Sequence, residues 1–180
     1  MQTKTPTERL QVLLPDVFAP KSKTGQLYLR FRLATSLNAA ISLERVVETL
    51  RIPAQGITPM PNMSPCNLGL MNNQGKIFWA IDLANLLGVS QADSRPRQYE
   101  IIVIEMLSAA RQESEQLLLG LSVQQIQSTL RLTPAQVQAS THDVMPELLP
   151  YLQGQFQQQG EETWLLNVEA ISNAQGLYDY

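Results

Sequence analysis

Asn67-Leu-Gly-Leu-Met-Asn-Asn-Gln-Gly-Lys-Ile-Phe-Trp-Ala-Ile-Asp-Leu-Ala-Asn-Leu-Leu-Gly-Val89 is the stretch that decides how the rest of the chain is read. Asn72-Asn-Gln-Gly75 is turn chemistry, because Asn and Gly tolerate the positive φ that a tight reversal needs. Before it stands a short run with Leu68, Leu70 and Met71. After it, Ile77, Trp79 and Ile81 alternate with Lys76, Phe78 and Ala80, at the period of two expected of a strand. Asp82 is placed to cap a short helix carrying Leu83, Leu86 and Leu87, and Gly88 is placed to end it. The unit is a hairpin feeding a helix. Apolar residues on both faces of its second strand put that strand inside a sheet and not at an edge.

Upstream, Leu27-Tyr-Leu-Arg-Phe-Arg-Leu33 alternates strictly, with Leu27, Leu29, Phe31 and Leu33 on one face and Tyr28, Arg30 and Arg32 on the other. That is a half-buried strand. Ala39, Ile41 and Leu43 repeat the alternation after a turn around Ser36-Leu-Asn38, which makes a hairpin. Leu43, Val46, Val47 and Leu50 then take helical spacing with Ser42 available as a cap, so a brief helix is expected. Four prolines between Arg51 and Pro65 read as a loop.

Downstream, Gln98 to Leu107 is a strand with Ile101, Ile102, Val103 and Ile104 apolar on both faces, and Leu117 to Val123 is its partner. Gly120 in mid-strand implies a bulge or a close backbone approach. Ile126 and Leu130 continue an extended run to Leu132, and Thr133-Pro-Ala-Gln136 fits a capping box over one helical turn. Thr141 to Pro150 is a loop. Tyr151 to Phe156 and Thr163 to Val168 form a last hairpin around Gln159-Gly160. Asn167 stands there as Asp82 stood before, so the strand–cap–short-helix ending occurs twice. About nine short strands at hairpin spacing call for small barrels or a sandwich.

At 180 residues the chain has the size of one domain, or of one domain made of two small lobes. Residues 1 to 25 read as an extension, since Pro15 and Pro20 interrupt its apolar residues and Lys21-Ser-Lys-Thr-Gly25 is linker-like. It is either a flexible arm or a segment whose Leu13, Leu14 and Phe18 pack on this domain or on a partner. A net charge of −3, with 13 scattered Lys and Arg, argues against nucleic acid. Arg95 and Arg97 around Pro96 are the densest basic spot and read as a solvated loop. With Cys66 the one cysteine there is no disulfide framework, and a reducing cytoplasm is the natural compartment. No apolar run approaches the ~20 residues of a membrane helix, and Met1 to Leu10 lacks the apolar core of a signal peptide.

Catalytic patterns are sparse. His142, the one histidine, sits in Ser140-Thr-His-Asp143, but a Ser-His-Asp reading needs a serine brought there by the fold, and no nucleophile elbow is present. One His and one Cys cannot close a zinc site. Glu161-Glu162 falls at a hairpin tip, where charge keeps the turn wet. Gly69, Gly75, Gly88 and Gly120 are scattered singly and make no phosphate loop, and Cys66 has no activating neighbour. No catalytic, cofactor or metal site is assigned. The reading is a protein that works through its surface, with a small β-barrel enzyme using His142 as the alternative from another class.

Five segments in order resemble the CheW-like domains of bacterial chemosensory systems. Tyr28-Leu-Arg-Phe-Arg-Leu33 is similar to their opening strand, and Leu43-Glu-Arg-Val-Val-Glu48 to their hydrophobic-x-x-Val-x-Glu segment. Asn67 to Gly75 followed by Ile77 to Leu83 resembles their Gly-hydrophobic-x-Asn-Leu-Arg-Gly turn leading into Pro-Ile-Val-Asp-Leu. Gly120-Leu-Ser-Val123 with Ile126, then Leu132-Thr-Pro-Ala-Gln-Val137, resembles their Gly-hydrophobic-hydrophobic-Val-Asp strand and the turn after it. Leu165-Leu-Asn-Val168 resembles the closing strand. Together the segments run from about residue 26 to 172.

The resemblance implies a mainly β fold of two SH3-like five-stranded β-barrel lobes with short helices, residues 26 to 180 forming a single domain. It implies a non-catalytic adaptor that couples the cytoplasmic tip of a methyl-accepting receptor to the regulatory domain of a CheA-type histidine kinase, in the cytoplasm at membrane-associated receptor arrays, without inserting into the membrane. The alternative within the same fold is an assembly factor of a motility or pilus system that binds no kinase. By the same resemblance Val46 and Glu48, on the expected short helix, and Gln74 would face the receptor, flanking a groove for a helical hairpin. Gly69, Gly75, Asp82 and Gly120 would be structural, and the kinase side would lie in a second lobe around residues 98 to 160. Gln74 stands where the family has Arg, which removes a charge-assisted contact of roughly 1.5–3 kcal/mol if that Arg meets a partner's carboxylate. Asn73 replaces the preceding Leu, Trp79 and Ala80 replace Pro-Ile, and Asn167 replaces an Asp. These departures suggest a divergent branch with its own receptor or kinase. Phototaxis and pilus-driven twitching are the homes that suits, and the sequence does not choose between them.

Overall fold

Strand β1, Gln26–Ala34, turns through Thr35 and Ser36 into β2, Leu37–Ser42, and this hairpin is the seed of one of two sheets. The computed structural model describes residues 24–89, 96–106, 117–139, 144–158 and 160–177. Residues 1–23, the charged run 111–116, Arg95, and His142 with Asp143 lie outside them. After β2 come β3 (Val46–Pro53), β4 (Ile57–Thr58), β5 (Asn67–Asn73), β6 (Lys76–Asp82) and α1 (Leu83–Leu86). Then follow β7 (Gln98–Met106), β8 (Leu117–Val123), β9 (Gln125–Leu132), β10 (Leu152–Gln158), β11 (Glu161–Leu166) and α2 (Val168–Ser172).

The strands form two curled sheets. Barrel one has the order β10-β11-β2-β1-β9 and barrel two the order β3-β7-β8-β6-β5-β4. Each curls closed by the same device. At one edge β3 passes through a single 3-10 turn, Ala54–Gly56, directly into β4, which pairs with β5 at the far edge. At the edge of barrel one β9 passes through the turn Pro134–Gln136, and Gln138 then bridges to Gln155 of β10. Thr133 N–H donates to the Gln136 side chain at 2.9 Å, which fixes where that turn starts.

Each barrel has its own small core: Ile57, Met71, Phe78, Ala80, Tyr99, Ile101 and Val103 in barrel two, and Tyr28, Ala40, Leu132, Phe156 and Leu165 in barrel one. The largest cluster lies between them, built on Phe31, Ile41, Ile81, Leu83, Ile102, Ile104 and Leu121. Strands apolar on both faces, such as β7, serve a barrel core with one face and the junction with the other. Tyr28 is a case the sequence pattern misassigned: on the nominally polar face of β1, it is 7% exposed and packs in the core of barrel one.

Two local expectations change and a third is narrowed to one of its alternatives. The helix expected over Leu43 to Leu50 is a three-residue 3-10 turn, Leu43–Arg45, capped by Ser42, and Val46 onward is strand. β-branched Val46, Val47, Thr49 and Ile52 suit a pleated surface, and β7 offers them an open edge, so tertiary pairing overrides the helical spacing. The loop expected from Arg51 to Pro65 begins only after β4, with Pro53 tolerated as the last residue of a strand. At Gly120 the pairing continues without a register shift. A Cβ there would stand 3.0 Å from Ile101 and 3.3 Å from Phe78, so the glycine marks close packing and not a bulge. Adding β3 and β4 to the nine anticipated strands gives the eleven observed among the described residues.

The lobes are also not sequential. The first half of the chain gives β1–β2 to barrel one and β3–β6 to barrel two; the second half gives β7–β8 to barrel two and β9–β11 to barrel one. The segment 98–160 is therefore shared between both barrels and is not a lobe of its own. Gly69, Gly75, Trp79 and Asp82 recur as Gly154, Gly160, Trp164 and Asn167 at identical spacing. Strand β6 runs parallel to β8 as β11 runs parallel to β2.

Candidate functional site

The hairpin β5–β6 reverses at Gln74 and Gly75, with φ of 51° and 83°. Both central residues of the two-residue loop are thus left-handed, as a hairpin that follows the strand twist requires. Asn72 does not take the positive φ; its side chain instead accepts a hydrogen bond from Gly75 N–H at 3.0 Å. Gln74 is left exposed at the tip, and Ile77 just beyond it is 69% exposed.

Val46 and Glu48 open the edge strand β3. Pairing with β7 slips between them, so Val46 lies opposite Ile104 of the junction core while Glu48 lies opposite Val103 of the barrel core. Glu48 thereby reaches across the mouth of barrel two, where its carboxylate accepts from Asn73 Nδ2 at 2.8 Å. Asn73 immediately precedes Gln74. The Glu48–Asn73 bond thus brings the start of β3 beside the turn that carries Gln74, while Val46, on the same strand, faces the junction core.

On the β5–β6 hairpin and its neighbours β7 and β8 runs an apolar groove lined by Met63, Asn67, Trp79, Met106, Leu117 and Leu177, with Asn67 paired to Ile81 at the end of the hairpin away from Gln74. Leu117 lies opposite Met106, two residues beyond Ile104 on β7. From buried Ile81 through half-buried Trp79 to exposed Ile77, the outward residues of β6 form a continuous apolar stripe. Asn67 Oδ1 is buried without a hydrogen-bond partner. Such a surface can accept an apolar element that carries a donor at one point.

Behind the site stand the scaffold residues. Gly69 has φ of 133°, and a Cβ on it would stand 2.1 Å from Thr58 O. Its counterpart Gly154 would meet Gln138 O at 2.7 Å. Both glycines sit beside a register shift where the closing strand crosses the hairpin. Asp82 accepts from Asn85 N–H at 3.1 Å and its own N–H donates to Cys66 O, capping α1. Asn167 caps α2 in the same way, accepting from Glu169 and Ala170 N–H, with its own N–H on Tyr151 O. Cys66 is buried, its Sγ 3.4 Å from Gly176 O and from Ser64 Oγ.

Two residues at the site escaped the sequence reading. Asn73 reads from sequence as a turn residue and a departure from the family's Leu, yet it is also the partner of Glu48; a polar residue at a strand end beside a turn is the available signal. The groove-lining Met63 lies in the proline-rich loop and carried no signal. Among the described residues no three His, Cys, Asp or Glu side chains assemble as a metal-binding group, and no helix is long and apolar enough to cross a membrane.

A family model described as the CheW-like domain matches residues 27–176. Among solved structures, the scaffolding protein TtCheW from Thermoanaerobacter tengcongensis superimposes with a TM-score of 0.69 at 18% identity, covering 85% of this chain and 96% of that one. No curated protein matches the sequence.

Proposed function

This chain belongs to the CheW-like domain family, and from that premise we propose that it is a non-catalytic signalling adaptor of a chemosensory system. In this reading it works in the cytoplasm, at receptor arrays, by binding the tip of a methyl-accepting receptor and the regulatory domain of a histidine kinase at once. The observation that carries the reading is the family match, which spans nearly all of the described chain. Two linked binding events raise the effective concentration of each partner for the other, so an adaptor of modest affinity can still hold an array together.

For the receptor limb we assign the end of barrel two. A helical hairpin would lay its apolar face along the Trp79 groove, with Val46 at the junction side and Glu48 and Gln74 at the rim. The Glu48–Asn73 hydrogen bond holds the carboxylate across the barrel mouth before any partner arrives, which lowers the ordering cost of binding. Gln74, on an exposed tip, offers a neutral amide where the family has a cation, so the receptor surface it meets need not be acidic.

Titration of a receptor-tip helical hairpin tests this limb. Wild type is expected to bind, and Val46→Arg together with Glu48→Ala to weaken binding at least about tenfold, or about 1.4 kcal/mol. Gln74→Arg should leave the fold intact, because the side chain is exposed, while changing that affinity. Unchanged binding by the Val46 and Glu48 variants would move the receptor site elsewhere on the molecule.

A further inference from the structure

We infer that the interior of barrel one holds a bound water molecule, gripped by Arg30, Gln127 and Thr163 as a structural ligand of that lobe. The two barrels differ at one register position. In barrel two, Phe78 lies opposite Met71 and fills the core. At the matching place in barrel one, Thr163 lies opposite Phe156. Thr163 is 0% exposed, and its Oγ1 has no hydrogen-bond partner. A small side chain stands here in place of a large ring, and polar side chains from three other strands lie beside it.

Arg30 extends from β1 over β2 to an ion pair with Glu161 on β11, two residues from Thr163. Its side chain is 15% exposed, and its Nε is buried and unpaired. Gln127 reaches in from β9, donating from Nε2 to Asn38 Oδ1 at 3.3 Å, and its Oε1 is likewise buried and unpaired. Asn38 is the residue directly opposite Thr163. Three of the five unpaired buried side-chain atoms among the described residues are therefore carried by Thr163 itself or by side chains bonded to Asn38 and Glu161 beside it.

Their chemistry selects the ligand. Arg30 Nε–H can only donate, Gln127 Oε1 can only accept, and the Thr163 hydroxyl can do either. One water accepts from the first, donates to the second and pairs with the third, making the roughly three bonds typical of buried water. A carboxylate or phosphate would face Gln127 Oε1 and the Glu161 carboxylate, two acceptors, and is disfavoured. An apolar ligand would leave all three groups unpaired, each at a cost. Barrel one is thus a hydrated lobe.

Thr163→Val gives opposite signs under the two accounts, because it removes the hydroxyl at nearly constant volume. With the water in place the variant loses a partner of that water, and the folding equilibrium constant is expected to fall about five- to tenfold, with Thr163→Ser close to wild type. Were the hydroxyl simply unpaired, valine would match or exceed wild type, and that result overturns the proposal. If Thr163→Val fails to fold, a high-resolution crystal structure of the wild-type protein decides. A water within about 3 Å of at least two of the three atoms supports the proposal. A dry site with the side chains paired elsewhere overturns it.

Discussion

Gly69 and Gly154 show how much a single missing Cβ can determine. At both places the closing strand crosses the hairpin so tightly that its carbonyl occupies the position a Cβ would take. Gly69→Ala is expected to cost about 3 kcal/mol or more, read as a lower urea midpoint. Gly75 also has positive φ but nothing within 4 Å of its would-be Cβ, so Gly75→Ala should cost only about 1–2 kcal/mol. Equal costs would mean that backbone conformation, and not the crossing, is what these glycines serve. Tyr28 supplies a pH test. Burial, and then the Glu44 carboxylate, raise its phenol above the ordinary 10.0, and its hydroxyl donates to Gln26 at 3.0 Å. The folded state therefore prefers the protonated phenol: this contribution is complete below pH 10 and is lost as pH rises beyond it. Denaturation profiles should fall at alkaline pH, and Tyr28→Phe should flatten that fall; an unchanged profile would contradict the assignment. At this scale the turn, the caps and the close approach at Gly120 were legible, because each rests on a local rule of backbone sterics. Tyr28 was not, because the curl of barrel one buries the second face of its strand.

Among the elements, β3 is the one whose spacing reads as a helix, and the reason is physical. Leu43, Val46, Val47 and Leu50 satisfy a helical period, but the same residues satisfy a strand, and only the open edge of β7 decides. That edge comes from the other half of the chain, where no local window could see it. The same long-range placement creates a latch between the barrels. Glu100 on β7, its side chain 16% exposed, accepts from Ile126 N–H of β9 at 2.6 Å and from Arg51 at 2.5 Å. The amide bond crosses from barrel two to barrel one. Glu100→Ala leaves the Ile126 amide without its acceptor and is expected to cost about 1.5–3 kcal/mol, with Glu100→Gln intermediate because a neutral acceptor remains. Amide hydrogen exchange at Ile126 is the readout specific to the latch; a rate unchanged in Glu100→Ala would show that the bond does not hold in solution.

For the molecule as a whole, the strand count pointed to small barrels or a sandwich and the family resemblance to two barrel lobes, but neither to their interleaving. Gly69, Gly75, Trp79 and Asp82 recur as Gly154, Gly160, Trp164 and Asn167 at identical spacing, and that recurrence is the available signal. It tells that a unit is repeated, yet the partner of each unit is set by which hairpin it meets in space. Since each half supplies strands to both barrels, halves cut within residues 90–95 are expected to be unfolded separately and to recover a folded circular dichroism spectrum only when mixed. Either half folding alone would contradict the exchange. The interleaving also matters to the proposed function: the junction core is shared by both barrels, so a load on the proposed receptor end of barrel two would pass into barrel one. The most direct test is a titration of the cognate kinase regulatory domain into this protein, first free and then saturated with the receptor-tip hairpin. The account expects binding tighter than ~100 μM, about −5.5 kcal/mol, in both arms, with a ternary complex in the second. No binding at that concentration, or displacement of the receptor hairpin by the kinase domain, would contradict it.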